Sequence, residues 1–213
     1  MANTKIHTVY KTKDGQRVPS VTTALGILNK PALLQWAWQC GVDGQDYRAI
    51  RDQAADIGTL AHYLILCHLK NETPLLLEYS QENIDKAENC LIKYLDWEKE
   101  HDLEPILVES PLISELYGFG GTIDCLAKCD DALCLIDHKT GKAIYNEMFY
   151  QLAAYRQLLK EAGYQIANAR ILRIGREETG DFEERIAPNL EAAWGVFIRC
   201  LEIYNLQKQA KKS

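Results

Sequence analysis

The stretch FGGTIDCLAKCDDALCLIDHKTGK, residues 119–142, decides how the chain folds. It contains two short segments rich in apolar and β-branched residues, 122–129 and 133–139, which are typical of strands. The glycines at 118, 120 and 121 and the pair Asp130-Asp131 mark the turns that bound them, because these residue types tolerate tight backbone geometry. A third segment of this kind, 106–108, comes just before. We therefore predict three consecutive strands joined as hairpins.

Helical periodicity surrounds this β-rich segment. Apolar residues recur at intervals of three and four from about Asp46 to Asn71, and again from Ser80, which acts as the cap, to about His101. Pro31 stands where a first helical turn begins, so residues 18–28 are expected to form a loop that leads into a short helix. Further helices are predicted over 145–161 and 189–207, with a strand over 166–174 between them and room for one more after it. This order predicts a mixed α/β fold.

Length and composition limit the kinds of protein that this can be. The chain has 213 residues, 47% hydrophobic residues and a net charge of -6, which is typical of one globular domain. It has no apolar run near the roughly 18 residues of a membrane span and no signal peptide, so we expect a cytoplasmic protein without a membrane partner. The acidic balance argues against a wholly basic polyanion binder but leaves a local basic groove open.

The seven cysteines are odd in number and scattered through apolar stretches. We expect reduced thiols and no structural disulfide. Cys125, Cys129 and Cys134 form the one local group, but it lacks a CxxC spacing. They are therefore expected to be small buried hydrophobes and not metal ligands.

The chemistry concentrates in three charged residues of the β-rich segment: Asp124, Asp137 and Lys139. Side chains alternate along a strand, so Asp137 and Lys139 share one face while His138 points the other way. Two carboxylates on neighbouring strands can hold a divalent cation and position a water molecule. A surface ion pair at a strand end is the alternative for the D-x-K spacing.

Two helical pairs extend the pattern. His62 follows Gly58 by one helical turn, so the missing side chain leaves room beside the imidazole for a metal or a phosphate; a histidine at the rim of the core is the alternative. Gln151 and Tyr155 lie on one helical face after the D-x-K strand. They either hydrogen-bond a phosphate or Lys139, or form the edge of an amphipathic helix.

Other polar residues allow two interpretations each. The hydroxyls of Ser20 and Thr22 either bind phosphate or cap the following helix. Glu109 is either a solvent-facing strand carboxylate or a residue that supports the metal ligands, and we leave it out of the metal set. Three arginines either touch a nucleic-acid strand or only line a sheet edge: Arg170, Arg173 and Arg176.

Taken in order, these residues resemble the RecB-like branch of the PD-(D/E)xK nuclease superfamily, whose signatures are GxxxH, GxxD, (D/E)xK and QxxxY. The matching residues are Gly58/His62, Gly121/Asp124, Asp137-His138-Lys139 and Gln151/Tyr155. Residues 18–28 and 109–121 also resemble bacteriophage exonucleases and mitochondrial genome maintenance exonucleases. The resemblance extends over residues 15–205.

The resemblance implies a fold and an activity. The fold would be a restriction-endonuclease-like core with a mixed central sheet flanked by helices, an N-terminal helical segment and a single domain over residues 1–213. The activity would be that of a divalent-metal-dependent DNA exonuclease that leaves 5′-phosphate and 3′-hydroxyl ends in phage recombination or DNA processing, in the host cytoplasm. DNA ends, single-stranded ones included, would be its substrate, and a single-strand annealing protein its partner.

The resemblance also implies residue roles. His62, Asp124 and Asp137 would bind one or two Mg²⁺ or Mn²⁺ ions, helped by the backbone carbonyl of His138, and Lys139 would orient the attacking water. The residues that would contact DNA are Gln151, Tyr155, Ser20 and Thr22. No iron–sulfur cluster is expected, since only one cysteine, Cys200, lies beyond residue 134.

Two other functions remain open at this stage. One is a structure-specific or flap endonuclease with the same chemistry. The other is a non-catalytic nucleic-acid-binding or assembly protein that kept the fold. The presence of Asp124, Asp137 and Lys139 together argues against the second.

Overall fold

The computed structural model describes residues 8–177, 181–187 and 189–211. Six helices and five strands follow one another in these residues. In chain order they are α1 (Val21–Leu25), α2 (Pro31–Val42), α3 (Tyr47–Lys70), α4 (Gln81–Glu98), β1 (Leu103–Ser114), β2 (Phe119–Cys129), β3 (Ala132–Lys139), α5 (Asn146–Glu161), β4 (Asn168–Ile174), β5 (Phe182–Ala187) and α6 (Glu191–Ala210).

The five strands form one mixed sheet in the order β1-β2-β3-β4-β5. β1, β2 and β3 pair antiparallel through the expected hairpins, and β4 pairs antiparallel with β5. β3 and β4 are parallel, because α5 crosses over between them and returns the chain to the same end of the sheet. The expected mixed α/β fold with a central sheet flanked by helices is confirmed.

Each face of the sheet is covered by a separate hydrophobic core. Leu135 belongs to the core formed with α1, α5 and α6, whereas the next residue, Ile136, belongs to the core formed with α3 and α4. Both side chains are almost completely buried. Alternation along β3 therefore directs consecutive residues towards different helical layers, which matters for the site at the end of this strand.

The two long helices begin and end where the sequence predicts. Asp46 caps α3 by accepting a hydrogen bond from the backbone nitrogen of Arg48 at 2.9 Å, and Asn71 ends it in the left-handed conformation with φ 54°. Ser80 caps α4 by accepting from the nitrogen of Asn83 at 3.3 Å. Cap residues and hydrophobic spacing thus suffice to locate both helices.

Two elements differ from the prediction. Residues 21–25, which were expected within a loop, form the short helix α1, because five residues are too few to show a helical period. β1 spans 12 residues instead of three. As the first strand of the sheet it has an unpaired edge, where Pro105 and Pro111 are tolerated although they would break a central strand.

The described residues include no helix long and apolar enough to cross a membrane. All seven cysteines are buried and carry free thiols. Burial raises the pKa of the Cys125 thiol to about 12 and that of Cys90 to about 11, so these thiols stay protonated near neutral pH.

Candidate active site

Asp137 and Lys139 form a buried ion pair at the end of β3. Lys139 Nζ lies 2.5 Å from Asp137 Oδ2, and the Asp137 side chain is only 1% exposed. Within the described residues, neither oxygen of Asp137 has a partner that satisfies hydrogen-bond angles. A carboxylate buried in this way is costly unless something else binds it.

Burial shifts the ionisation of both groups. It raises the pKa of Asp137 to about 6, with Lys139 opposing this shift and Asp124 adding to it. Burial alone would lower the pKa of Lys139, but Asp137 and Asp124 outweigh it and raise that pKa above its usual value. Lys139 is therefore a cation at neutral pH, and Asp137 loses its proton only as the pH passes about 6.

Asp124, near the middle of β2, faces this pair. Its Oδ2 accepts a hydrogen bond from the backbone nitrogen of His138 at 2.8 Å. Burial opposes ionisation of Asp124, but His62, Lys139 and that hydrogen bond together hold its pKa below the usual range. Asp124, whose side chain is more exposed and accepts a backbone hydrogen bond, therefore ionises at a lower pH than Asp137.

Three possible metal ligands meet at Asp124. His62 Nδ1 lies 3.7 Å and His138 Nδ1 3.8 Å from Asp124 Oδ2. The ligand atoms of these three residues all lie within 4.8 Å of one another. Sequence analysis placed His62 and Asp124 in the metal set, and the structure brings them together. Asp137 is not part of this triple, although the charge of Asp124 helps to raise the pKa of Asp137.

The prediction that the His138 side chain turns away from the site is wrong. Its ring lies 6.0 Å from that of His62 on α3 and 5.4 Å from that of Tyr94 on α4, measured between centroids. His138 does face the α3 side of the sheet, but His62 extends over the strand end on that same side. Burial lowers the pKa of His138 to about 4, so its imidazole is neutral at pH 7 and can act as a ligand.

This set of atoms fits a divalent cation. It offers imidazole nitrogens and a carboxylate oxygen, and beside them stands the buried Asp137 carboxylate, which is paired with Lys139. Carboxylates suit Mg²⁺ and Mn²⁺, and imidazole favours Mn²⁺ over Mg²⁺. His62, Asp124, Asp137 and His138 are therefore the residues that can hold such an ion.

Two polar side chains lie close to Gly58. A Cβ built on Gly58 would lie 2.8 Å from Thr140 Oγ1 and 3.8 Å from Arg176 Nη2. The Thr140 hydroxyl thus lies in the space that the missing side chain of Gly58 leaves. Sequence analysis missed Thr140, although its position directly after Lys139 was a signal that could have identified it.

Gln151 and Tyr155 bond to each other. Gln151 Nε2 donates to the Tyr155 hydroxyl at 2.7 Å. The Tyr155 ring is 5% exposed, and a Cβ on Gly121 would lie 2.6 Å from its Cε1. Burial raises the pKa of Tyr155 well above its usual value. The hydrogen bond lies within α5, and the Tyr155 ring packs against Gly121 of β2.

Ser20 and Thr22 lie at the N-terminus of α1. Ser20 Oγ accepts a hydrogen bond from the nitrogen of Thr23 at 3.0 Å and lies 3.0 Å from Thr22 Oγ1. Ser20 therefore caps α1, and the Thr22 hydroxyl pairs with that of Ser20. Neither residue lines the cavity at the site.

A cavity of about 1100 Å³ opens over the candidate site. His62, Asp124, His138 and Lys139 line it, and so do residues of β1 and of the segment after β4. Glu109 of β1 adopts a left-handed backbone conformation with φ 46° and borders this cavity. The arrangement can admit an extended ligand to the point where the carboxylates, imidazoles and ammonium meet.

A second group of ligand-type atoms lies elsewhere and is satisfied internally. His101, Cys129 and Asp130 bring their ligand atoms within 4.8 Å of one another. His101 Nδ1 lies 2.7 Å from Asp130 Oδ2, and Arg170 Nη2 lies 3.8 Å from the same oxygen. Burial raises the pKa of Cys129 to about 12, so its thiol is protonated. An arginine and a protonated thiol make this corner a poor cation site.

No family model matches the chain, and no curated protein matches it. Among solved structures, it is similar to the alkaline exonuclease LHK-Exo from Laribacter hongkongensis, with 14% identity, a TM-score of 0.36 and coverage of 76% of this chain and 92% of that one. A complex of LHK-Exo with dAMP gives a TM-score of 0.42 at 12% identity over 75% of this chain and 86% of that one. The structure of SSO0001 matches with a TM-score of 0.34 at 15% identity. The match covers 55% of this chain and 57% of the length of SSO0001. These likenesses are distant, so the function proposed below rests on this chain's own residues.

Proposed function

We propose that the chain is a divalent-metal-dependent DNA exonuclease of the PD-(D/E)xK superfamily, of its RecB-like branch, with one nuclease domain over residues 1–213. One observation carries the proposal. The ligand atoms of His62, Asp124 and His138 converge beside the buried Asp137–Lys139 pair, within one cavity. These are the residues of the ordered motifs GxxxH, GxxD and D-x-K.

His62, Asp124, Asp137 and His138 are the ligands that we assign to Mg²⁺ or Mn²⁺. When bound, such an ion polarises the scissile phosphate and lowers the pKa of a water molecule. The ionised Asp124 attracts the cation, and Asp137 joins it as an anion above about pH 6. The neutral imidazole of His138 adds a nitrogen ligand without adding charge.

Lys139 completes the site. Its ammonium is held by Asp137 at 2.5 Å and remains charged because Asp137 and Asp124 raise its pKa. A positioned cation can donate a hydrogen bond to the attacking water and offset the negative charge that develops on the phosphate. Hydrolysis in this arrangement is expected to leave a 5′-phosphate and a 3′-hydroxyl.

The energetics of Asp137 support a catalytic protein over a non-catalytic one. Burying the Asp137–Lys139 ion pair, with the carboxylate only 1% exposed, costs desolvation free energy, and a scaffold protein has no use for that cost. The motif resemblance further implies DNA ends as substrate, a role in phage recombination or DNA processing, and a single-strand annealing protein as partner. These three are parts of the proposal.

Digestion of end-labelled DNA tests the activity. Linear and covalently closed DNAs, single- and double-stranded, are incubated with Mg²⁺, Mn²⁺ or EDTA. The wild type is compared with Lys139→Ala and with Lys142→Ala, a change of the same kind at an exposed lysine three residues away. We expect metal-dependent loss of the linear DNAs only, abolished in Lys139→Ala and retained in Lys142→Ala.

Other outcomes identify the alternatives. Cutting of closed circles would replace the exonuclease with an endonuclease. Binding of DNA without cleavage under Mg²⁺ and Mn²⁺ would refute the catalytic proposal and leave a non-catalytic nucleic-acid-binding protein.

A further inference from the structure

Arg176 follows β4 and lines the cavity that contains Lys139. β4 carries two other arginines, and both are buried and paired with carboxylates. Arg170 Nη1 lies 2.9 Å from Glu184 Oε1, and Arg173 Nε lies 3.2 Å from Glu183 Oε2. Among the described residues, no carboxylate forms an ion pair with Arg176. Glu177 acts on Arg176 through space and raises its pKa, but within the described residues no ion pair neutralises the charge that Arg176 brings to the cavity.

The guanidinium of Arg176 is also incompletely hydrogen-bonded. Nη2 donates to Thr140 Oγ1 at 3.3 Å, whereas Nε is buried and has no hydrogen-bond partner in the part of the chain that the structure describes. Burial lowers the pKa of Arg176, yet an arginine stays protonated at neutral pH. A partly buried cation of this kind costs free energy that an anion in the cavity would offset.

Thr140 places a second donor at the same point. Because its hydroxyl accepts a hydrogen bond from Arg176, its own proton is free to donate to an anion. Gly58 leaves the space for this hydroxyl, since a Cβ there would lie 2.8 Å from it. Thr140 follows Lys139 directly, and consecutive Cα atoms are about 3.8 Å apart. An anion bound here is therefore a close neighbour of one bound by Lys139.

We propose that Arg176 and Thr140 bind a phosphate of the DNA strand that neighbours the phosphate being cleaved. The identity of this anion as DNA phosphate rests on the proposed function. A planar guanidinium beside a hydroxyl suits the several oxygens of a phosphate. Such a contact sets the position of the strand without reading its sequence. It also provides attraction for DNA in a chain whose net charge is -6.

The first test measures binding without cleavage. Fluorescence anisotropy of a labelled 12-nucleotide single strand in EDTA is recorded from 50 to 300 mM salt. The matched control for Arg176→Gln is Arg185→Gln, which removes the same charge from a side chain that is 57% exposed and outside the cavity lining. We expect Arg176→Gln to weaken binding about tenfold and to reduce the slope of log K against log salt by about 0.7, the value of one phosphate contact on a single strand.

The second test locates the contact. The same strand carries a single neutral methylphosphonate at successive positions, and each is bound to the wild type and to Arg176→Gln. We expect one position at which the methylphosphonate weakens binding to the wild type about fivefold or more. At that position it should not affect binding to Arg176→Gln, because the methylphosphonate and the protein substitution remove the same contact. Thr140→Val should reduce the effect at that position, and Arg176→Lys should restore the salt slope. Circular dichroism and thermal unfolding check that each variant is folded.

The outcomes separate this inference from the proposed function. Two results would overturn it. One is that Arg176→Gln and Arg185→Gln bind with equal affinities and equal salt slopes. The other is that the methylphosphonate weakens binding to the wild type and to Arg176→Gln by the same factor at every position. An active nuclease without the position-specific effect would refute the subsite alone. A wild type that cleaves nothing but shows the effect would refute the exonuclease and keep the subsite.

Discussion

The ionisation of Asp137 makes the stability of this protein depend on pH in a defined direction. Its pKa is about 6 in the folded protein against an ordinary value of 3.8. Between these two values the folded state binds a proton that the unfolded state has lost. The stability that this proton contributes is complete below about pH 4 and is lost as the pH rises through about 6.

The magnitude follows from the two pKa values. One pKa unit corresponds to about 1.4 kcal/mol, so the whole effect is about 3 kcal/mol. Of this, about 1.3 kcal/mol is lost between pH 5 and pH 7. Asp137→Asn keeps the size of the side chain and removes this titration. The stability of the variant relative to the wild type should therefore increase by about 1.3 kcal/mol over that interval.

Urea unfolding in EDTA at pH 5, 6 and 7 measures this difference. Titrating groups away from Asp137 occur in both proteins and cancel. In the variant, Lys139 keeps Asp124, which also raises its pKa, so the loss of its partner adds an offset that is nearly constant from pH 5 to pH 7. Asp131→Asn is the control, since the Asp131 side chain is 90% exposed. A difference between Asp137→Asn and the wild type that stays constant or shrinks from pH 5 to pH 7 would refute the reasoning.

Three further predictions concern packing, metal choice and activity. Gly121→Ala should lower the free energy of unfolding by about 1–3 kcal/mol, because its Cβ would lie 2.6 Å from the Tyr155 ring. Gly195→Ala in α6, whose Cβ would have no atom within 4 Å, should raise the free energy of unfolding by about 0.5–1 kcal/mol. Urea unfolding of both variants checks that the two effects have opposite signs. His138→Phe should weaken Mn²⁺ binding at least tenfold by calorimetry and leave Mg²⁺ binding almost unchanged, and equal losses for both ions would show that the imidazole is not a ligand. At a metal concentration below saturation, the initial rate of DNA hydrolysis should fall as the pH drops towards 5, because protons compete with the metal for Asp137, whose pKa is about 6 in the metal-free protein; a rate that stays level down to pH 5 would contradict this.

Sequence alone predicted those features that depend on local chemistry. Asp46 and Asn71 located the ends of α3 because caps act within one turn. The D-x-K spacing placed Asp137 and Lys139 on one side of β3, and they form an ion pair there. Their distances to His62 of α3 and Asp124 of β2 depend on how those elements pack around β3, which the sequence alone does not show.

The errors have a common physical origin. Alternation along β3 correctly assigned His138 to the face opposite Asp137, but it contains no information about what covers that face. α3 does so, and it brings His62 to within 6.0 Å of the His138 ring. Likewise, the sequence showed an empty position at Gly58 but not that a hydroxyl from another segment fills it.

The two motif glycines have the same structural effect, which explains why they precede ligands at fixed spacing. Gly58 lies one helical turn before His62 and receives the Thr140 hydroxyl, so α3 can approach the end of β3. Gly121 lies three residues before Asp124 and receives the Tyr155 ring, so α5 can approach β2. In each case a Cβ would push a neighbouring element away from the side chain that follows. The glycines thus set how closely these elements approach, and the carboxylates and imidazoles come together only at that separation. Substitution of either glycine should therefore disturb the site without removing any ligand.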